Sequence, residues 1–134
     1  MKTLYLIRHA KSSWDSLGLD DVDRPLNDRG KKDAPRMGKR LKEREIYPQV
    51  IISSHARRAL STAKRVVKAI GLKKEDIVIE HHLYHASEDG ILKIVHRIKD
   101  EVDVVFLVGH NPGLTDCINS LRKDENVLDN LPTC

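Results

Sequence analysis

Arginine and histidine side chains recur in short polar segments of this chain, in a pattern that could handle a phosphoryl group. Arg8 and His9 stand together after an apolar run, Arg57 and Arg58 are adjacent in "SHARRA", and His110 lies in "VGHNPG". A guanidinium group can donate two parallel hydrogen bonds to phosphate oxygens, and an imidazole can act as nucleophile, base or acid near neutral pH. These residue types together predict a site that binds and transfers phosphate.

The segments that precede these residues indicate the elements that must position them. Runs rich in Val, Ile and Leu predict strands at 3–7, 50–53, 77–80 and 102–109. Caps, helical spacing and stop signals predict four helices. The first runs from Asn27 or Asp28 to about Arg44, and the second runs from about 59 to a stop at Gly71. The third begins at Ser87 and the fourth at Pro112. This alternation predicts an α/β three-layer sandwich with a mostly parallel central sheet flanked by helices.

The predicted sheet would bring the basic residues together. The last strand is too continuously apolar to have a solvated face, so we expect it in the middle of the sheet. Ligands of such sheets bind outside the carboxyl ends of the strands. Each predicted strand is followed there by histidine, the third by "HHLYH" at 81–85, and two are also followed by arginine.

Composition limits the class of protein. The chain has 134 residues, a net charge of +4, 4% aromatic residues and two cysteines without CxxC spacing. We expect one domain over 1–134 with an aliphatic core, in a reducing, cytoplasmic compartment. The charge allows an anionic partner but does not indicate nucleic acid, and the apolar run at the N-terminus is too short for a signal peptide or a membrane span.

Four motifs of this chain resemble those of a known family. "LIRHAKSSW", "SSHARRALSTA" and "VGHNPGLT" are similar to the signatures of the histidine phosphatase superfamily, and "DDVDRPLNDRG" resembles the small bacterial branch named for the phosphohistidine phosphatase SixA. The resemblance extends over nearly the whole chain and implies a phosphoglycerate mutase-like fold. It also implies hydrolysis through a covalent phosphohistidine.

The resemblance assigns roles to individual residues. It implies that His9 is the nucleophile, that Arg8 and Arg58 hold the phosphoryl oxygens, and that His110 hydrogen-bonds the phosphoryl group from across the pocket. Arg58 matches the family arginine and Arg57 does not. Additional phosphate contacts are expected from two further residues, Arg24 and Ser13, although Ser13, like Ser12, could equally serve to turn the loop.

Other residues receive weaker interpretations. Trp14 is expected to pack beneath its loop, and the remaining histidines are expected to be structural or solvated, with one near the third strand as an alternative rim residue. Three carboxylates near the expected pocket could be the general acid, namely Asp21, Glu80 and Glu88. We expect no metal site and no cofactor, because the sequence lacks a set of acidic and histidine ligands with metal-binding spacing.

Three functions remain open at this level: a phosphatase of protein phosphohistidine, a phosphatase of small phosphorylated molecules, and a phosphate-binding module without activity. The intact His9 argues against the third. A chain without long inserts should leave the crevice open to a side chain of another protein, which favours the first. The SixA-like branch continues beyond "LPTC" with another strand, so truncation at the C-terminus is left open.

Overall fold

The strands form one parallel sheet with the predicted central strand in place. The computed structural model describes residues 1–15, 17–122 and 127–134. Its strands are β1 (Thr3–Arg8), β2 (Val50–Ser53), β3 (Ile77–Ile79) and β4 (Val104–Gly109), in the order β1-β4-β2-β3. All three pairings are parallel. β4 is apolar along its length because it is hydrogen-bonded on both edges and covered on both faces.

Two pairs of helices cover the sheet. The helices are α1 (Asp28–Glu43), α2 (Arg57–Ala69), α3 (Glu88–His96) and α4 (Gly113–Leu121). Phe106 and Val108 of β4 pack into one apolar cluster with Leu41 of α1 and with the apolar face of α2. Val105 and Leu107 point the other way, into a cluster with α3 and α4. The period-two alternation of strand side chains therefore builds both interfaces of the three-layer sandwich.

The helix ends follow the signals in the sequence closely. Asn27 is the N-cap of α1 and accepts a hydrogen bond from the backbone of Gly30, while Ser87 caps α3 in the same way. Such a cap contributes about 1 kcal/mol. Gly71 follows α2 with a φ of 84°, a left-handed conformation that glycine adopts without strain.

Several expected boundaries are displaced by one or two residues. β1 extends to Arg8, β3 ends at Ile79, and α2 begins at Arg57 rather than at about 59. α4 begins at Gly113, one residue later than predicted, with Pro112 as its N-cap. β4 begins at Val104 instead of Val102, where the side chain of Gln49 accepts hydrogen bonds from the backbone of Asp103 and Val104. Within the described ranges, none of the helices has the length and apolar character needed to cross a bilayer.

Candidate active site

The two histidines of the first and last motifs lie side by side. β1 and β4 pair in register from Thr3 and Val104 to Arg8 and Gly109, so His9 and His110 are the next residue on each strand. The backbone N–H of His9 still donates to the Gly109 carbonyl at 3.0 Å. The centroids of the two imidazole rings are 5.3 Å apart at an interplanar angle of 48°, so the two rings are in contact.

The buried ring of His9 has a fixed tautomer. Its Nδ1 lies 2.8 Å from the carbonyl oxygen of Ala10, and because that oxygen can only accept, Nδ1 carries the proton. The lone pair is therefore on Nε2. Burial, with smaller contributions from the charges of Arg58, Arg8 and Arg24, lowers the pKa of His9 to about 4, although the hydrogen bond to Ala10 acts in the opposite direction. The ring is neutral at pH 7 and presents an unprotonated nitrogen.

His110 is held by a serine at the end of β2. Its Nε2 lies 2.8 Å from Oγ of Ser54, and that oxygen already accepts the backbone N–H of Ala56. Ser54 can donate its hydroxyl proton to Nε2, and in that arrangement the His110 proton is on Nδ1. This Nδ1 is buried and has no hydrogen-bond partner among the described residues. Burial, Arg58 and His9 lower the pKa of His110 to about 3.

The arginines of the motifs line a small cavity in front of His9. The cavity is about 150 Å³ in volume, and its walls come from three loops and the start of α2: Arg8, His9, Lys11, Ser12, Trp14, Arg24, Arg58 and Thr133. This volume equals that of about five water molecules, which suits a phosphoryl-sized group.

Arg8 and Arg58 reach this cavity from different sides. Arg58 is buried in the first turn of α2, whereas its neighbour Arg57 is exposed. Arg8 donates from Nη1 to the carbonyl of Leu131 at 3.0 Å, and its buried Nε finds no partner in the described part of the chain. Burial lowers the pKa of Arg8, and a guanidinium group remains charged despite such a shift. Both arginines can therefore present positive charge to an anion.

Asp21 joins the second arginine to the rest of the site. Nη1 of Arg58 donates to the Asp21 carbonyl at 2.7 Å, and Nη2 donates to Oδ2 at 3.0 Å. Arg24 donates to Oδ1 at 3.0 Å, and the Tyr84 hydroxyl donates to Oδ2 at 2.5 Å. The Tyr84 hydrogen bond, followed by those of Arg24 and Arg58, holds the pKa of Asp21 well below its usual range, although burial acts in the opposite direction.

Two of the three carboxylates considered as general acids do not have the environment of a proton donor. Asp21 is kept ionised by the contacts just described. Glu80 accepts from the backbone and ring of His82, which lowers its pKa. Glu88 is the first residue of α3. Sequence reasoning had considered Asp21 only as an acid and had missed its role as the common partner of two arginines and a tyrosine.

Arg24 holds the loop after β1, whose geometry favours one of the two roles left open for Ser13 and corrects the expectation for Trp14. Arg24 donates to the carbonyl of Ser13 and to the hydroxyl of Ser12. Ser12 lines the cavity, whereas Oγ of Ser13 accepts the backbone N–H of Asp15 and so turns the loop. Trp14 does not pack beneath the loop: it is 76% exposed, and the Arg24 guanidinium lies 3.3 Å from its ring centroid. The indole stacks on the cation at the rim of the cavity.

Close packing of the backbone holds the two histidine loops in place. A Cβ atom on Gly30 would lie 2.2 Å from the Lys11 carbonyl oxygen, and one on Gly113 would lie 2.1 Å from the Ala86 carbonyl oxygen. Thr62 of α2 accepts from the backbone N–H of Ala10 at 2.9 Å. Glycine at these two positions lets α1 and α4 begin directly against the loops that carry the site.

The Tyr84 ring lies beside His110 and connects it, through further ring contacts, to three histidines. Tyr84 has its ring centroid 5.7 Å from that of His110, 5.3 Å from that of His55 and 3.9 Å from that of His85. His55 stacks on His81, with 4.2 Å between the ring centroids.

The two remaining histidines lie outside these contacts. His82 is exposed and bonded to Glu80, and His96 is exposed at the end of α3. The described residues contain no group of three or more His, Cys, Asp or Glu side chains arranged to hold a metal ion.

Comparison with known proteins places this geometry in a family. The sequence profile of the histidine phosphatase superfamily (branch 1) matches residues 4–86. An uncharacterized chloroplastic protein of Arabidopsis thaliana is 31% identical over 128 residues, which are 90% of this chain and 59% of the plant protein. Phosphoglycerate mutase 1 of Saccharomyces cerevisiae is 38% identical over 78 residues, 57% of this chain and 30% of the mutase.

A solved structure shares the fold over most of the chain. The crystal structure of a candidate phosphohistidine phosphatase, SixA from Agrobacterium tumefaciens, superposes with a TM-score of 0.82 at 30% identity. The match covers 91% of this chain and 78% of the other. The chain therefore spans most of that structure but only 59% and 30% of the two relatives above.

Proposed function

Because the chain belongs to the histidine phosphatase superfamily, we propose that it hydrolyses phosphorylated substrates through a covalent phosphohistidine on His9. One observation carries the proposal: the buried His9 ring directs its Nδ1 proton to the Ala10 carbonyl, so its Nε2 lone pair is available to attack phosphorus. The nucleophile thus needs no separate base.

The first half-reaction forms the enzyme–phosphate bond. Nε2 of His9 attacks the phosphorus, the bond to the leaving group breaks, and the leaving atom takes its electron pair with it. Charge spreads over the equatorial phosphoryl oxygens in such a transition state. Arg8 and Arg58 stabilise that charge, and Arg24 contributes from the rim. His110 donates its free Nδ1–H to one of these oxygens.

The second half-reaction returns the protein to its starting state. A water molecule attacks phosphorus, the N–P bond to His9 breaks, and inorganic phosphate leaves with the ring again neutral. The same arginines serve both steps because the charge on the phosphoryl oxygens is the same in both. The reaction as proposed requires neither a metal ion nor a cofactor.

Labelling of the protein tests this mechanism. Incubation with a ³²P-labelled phosphoryl donor, followed by rapid denaturation in alkali and peptide mapping, should place an acid-labile label on His9. The His9→Asn variant, whose amide keeps a polar group in the same place, should carry no label. Label on any other residue in the unaltered protein would overturn the assignment of the nucleophile.

We favour phosphohistidine on another protein as the substrate. Asp21 and Glu80 are held ionised by their partners, so neither is suited to protonate a poor alkoxide leaving group. An imidazole leaves more readily, because it accepts a proton near neutral pH and departs neutral. The SixA structure is that of a candidate enzyme of this kind.

Two free cysteines, one of them buried, support a reducing, cytoplasmic setting.

A small phosphorylated molecule is the second candidate substrate, and similarity to the phosphoglycerate mutases favours it. The deciding measurement is kcat/KM for a phosphohistidine-bearing protein against a panel of phosphomonoesters. We expect the phosphoramidate to be preferred. A preference for any alkyl ester would reject both the leaving-group argument and the protein substrate.

A further inference from the structure

The mechanism leaves unused a cluster of rings at the edge of the site, formed by His55, His81, Tyr84 and His85 and called here the ring cluster. It begins at His110, where the Tyr84 ring lies 5.7 Å away at an interplanar angle of 76°. His85 and His55 contact Tyr84, and His81 stacks on His55.

The backbone indicates that the position of His85 is built with some strain. His85 has a φ of 59°, in the left-handed region that a residue other than glycine seldom adopts. Its side chain is exposed, yet its ring lies 3.9 Å from that of Tyr84. Unusual backbone of this kind persists where the surroundings hold it, and it gathers at ligand-binding sites. The turn holds the exposed His85 ring against Tyr84, which in turn contacts His110.

The direction of the reaction places the leaving group near these rings. The attacking and leaving atoms of a phosphoryl transfer lie roughly in line with phosphorus. With phosphorus in front of Nε2 of His9, the leaving group extends from the site on the side away from that nitrogen. The ring cluster borders the same site, because the Tyr84 ring lies 5.7 Å from that of His110 and 6.0 Å from the Arg58 guanidinium, and the Tyr84 hydroxyl donates to Asp21.

We propose that the ring cluster is a subsite for the leaving group and that it selects substrates whose phosphoryl group is attached to a planar aromatic ring, through contact with the exposed ring of His85. The inference rests on the proposed function for the position of the phosphoryl group. Rings attract one another in offset or edge-to-face arrangements, and an alkyl chain gains less from the same surface. Phosphohistidine and phosphotyrosine share this chemistry.

Binding of two phosphonates tests the subsite without turnover. Phenylphosphonate and propylphosphonate carry the same anionic group, so the ratio of their Kd values isolates the contribution of the ring. We expect the unaltered protein to bind phenylphosphonate more tightly by about threefold to tenfold. His85→Asn should reduce that ratio to near one while both Kd values stay measurable. Asparagine tolerates the left-handed backbone and removes only the ring.

Two control variants make the result specific. His82→Asn changes an exposed ring in the same segment that is bonded to Glu80, and it should keep the ratio. Tyr84→Phe keeps the ring but loses the bond to Asp21, so it should weaken both phosphonates equally. An unchanged ratio in His85→Asn, or the same loss in His82→Asn, would overturn the subsite.

Turnover of phosphorylated peptides then shows which amino acid supplies the aromatic ring of the leaving group. Peptides of one sequence bearing phosphohistidine, phosphotyrosine or phosphoserine should lose kcat/KM in His85→Asn for the first two only, and phosphohistidine should be the best substrate of the unaltered protein. A higher value for phosphotyrosine would support the subsite and identify an aryl substrate, whereas an equal loss for phosphoserine would overturn it. If no peptide is hydrolysed, the proposed function fails, and the phosphonate ratio still decides the subsite.

Discussion

Histidines that follow β1 and β4 differ sharply from those that follow β3. β1 and β4 pair along six residues, so the rings of His9 and His110 are enclosed by neighbouring loops. β3 has only three residues at the edge of the sheet, and the segment after it leaves His81, His82 and His85 exposed. The same residue type at the same end of one sheet thus occupies two environments.

Burial explains why the two groups are suited to different tasks. The enclosed rings lose hydration and lie near arginines, which keeps them neutral at pH 7. The Ala10 carbonyl also fixes the tautomer of His9. A neutral ring with a fixed proton can attack phosphorus or donate a defined hydrogen bond. The exposed rings offer flat surface to solvent. The comparison separates chemistry at the inner pair from recognition at the outer group.

Removal of the inner nucleophile should have the largest effect. His9→Ala should lower kcat/KM by at least about a thousandfold, because no neighbouring group can replace Nε2. The fold should persist, since the ring lies at a strand end and outside the apolar clusters. Steady-state kinetics and thermal unfolding check the two parts. His82→Ala, from the outer group, should retain full activity. Comparable losses in both variants would abolish the distinction.

Removal of the buried arginine should have the next largest effect. Arg58→Ala should lower kcat/KM about a hundredfold, or about 3 kcal/mol, if its guanidinium stabilises the charge of the transition state. Arg57→Ala is the matched control, because Arg57 is the adjacent residue and is exposed. Equal sensitivity of the two variants would show that the motif is aligned one residue out of place.

Neutralising the carboxylate between the inner and outer regions should cost less. Asp21→Asn keeps an acceptor but loses the charge that holds Arg58 and Arg24, and we expect kcat/KM to fall about tenfold. Phosphate affinity should fall with it. Asp23→Asn, in the same turn and exposed, should leave both quantities unchanged. If Asp21 were instead the general acid, the variant would lose the decline of kcat/KM at high pH, and its affinity for phosphate would be unchanged.

The same substitution has a predicted effect on stability. The pKa of Asp21 is lowered in the folded protein, so its charge stabilises the fold above the ordinary pKa of an aspartate, about 3.9, and that contribution is lost as the pH falls below it. The difference in Tm between the unaltered protein and Asp21→Asn should therefore be largest near neutral pH. It should shrink in acid.

Residue pattern and spacing are sufficient to predict the sheet, the four helices and the position of histidines and arginines at one edge of the sheet. Each of these depends on local signals, such as the apolar run of β4 or the Asn27 cap. The role of Asp21 could not be read in this way. Its partners Arg58 and Tyr84 are 37 and 63 residues away along the chain, and no periodicity links them.

The loop after β1 shows the same limit at short range. Ser12 and Ser13 are adjacent and chemically identical, so only the bridge between Ser12 and Leu26 decides which of them faces the cavity. Trp14 was expected to be covered because large aromatic residues are usually buried. A cation stacked on its face makes exposure tolerable. A repeat of alternating Arg and Trp would have signalled this contact, and the sequence has none.

The pKa values of the inner pair predict a modest dependence of stability on pH. His9 and His110 titrate at about 4 and about 3 in the folded protein, against about 6.5 when unfolded. The unfolded chain therefore binds more protons, and stability falls as the pH drops from about 6.5 towards 4. His9→Asn should make that slope of Tm against pH shallower. Ring signals of His9 that titrate near 6.5 by NMR would contradict the buried, neutral state.

Chelation of metal ions should have the smallest effect, namely none. The positive charge that a metal would supply to a phosphoryl group is assigned to Arg8 and Arg58 at the inner site. The nearest carboxylate, that of Asp21, accepts hydrogen bonds from Arg24, Arg58 and Tyr84 through both of its oxygens. A cation could bind there only by displacing the arginines that the mechanism uses.

We therefore expect kcat/KM to be unchanged after dialysis against EDTA, with His9→Ala run alongside to measure background hydrolysis. Activity that is lost in EDTA and restored by a divalent ion would require the inner site to be assigned again, starting from Asp21.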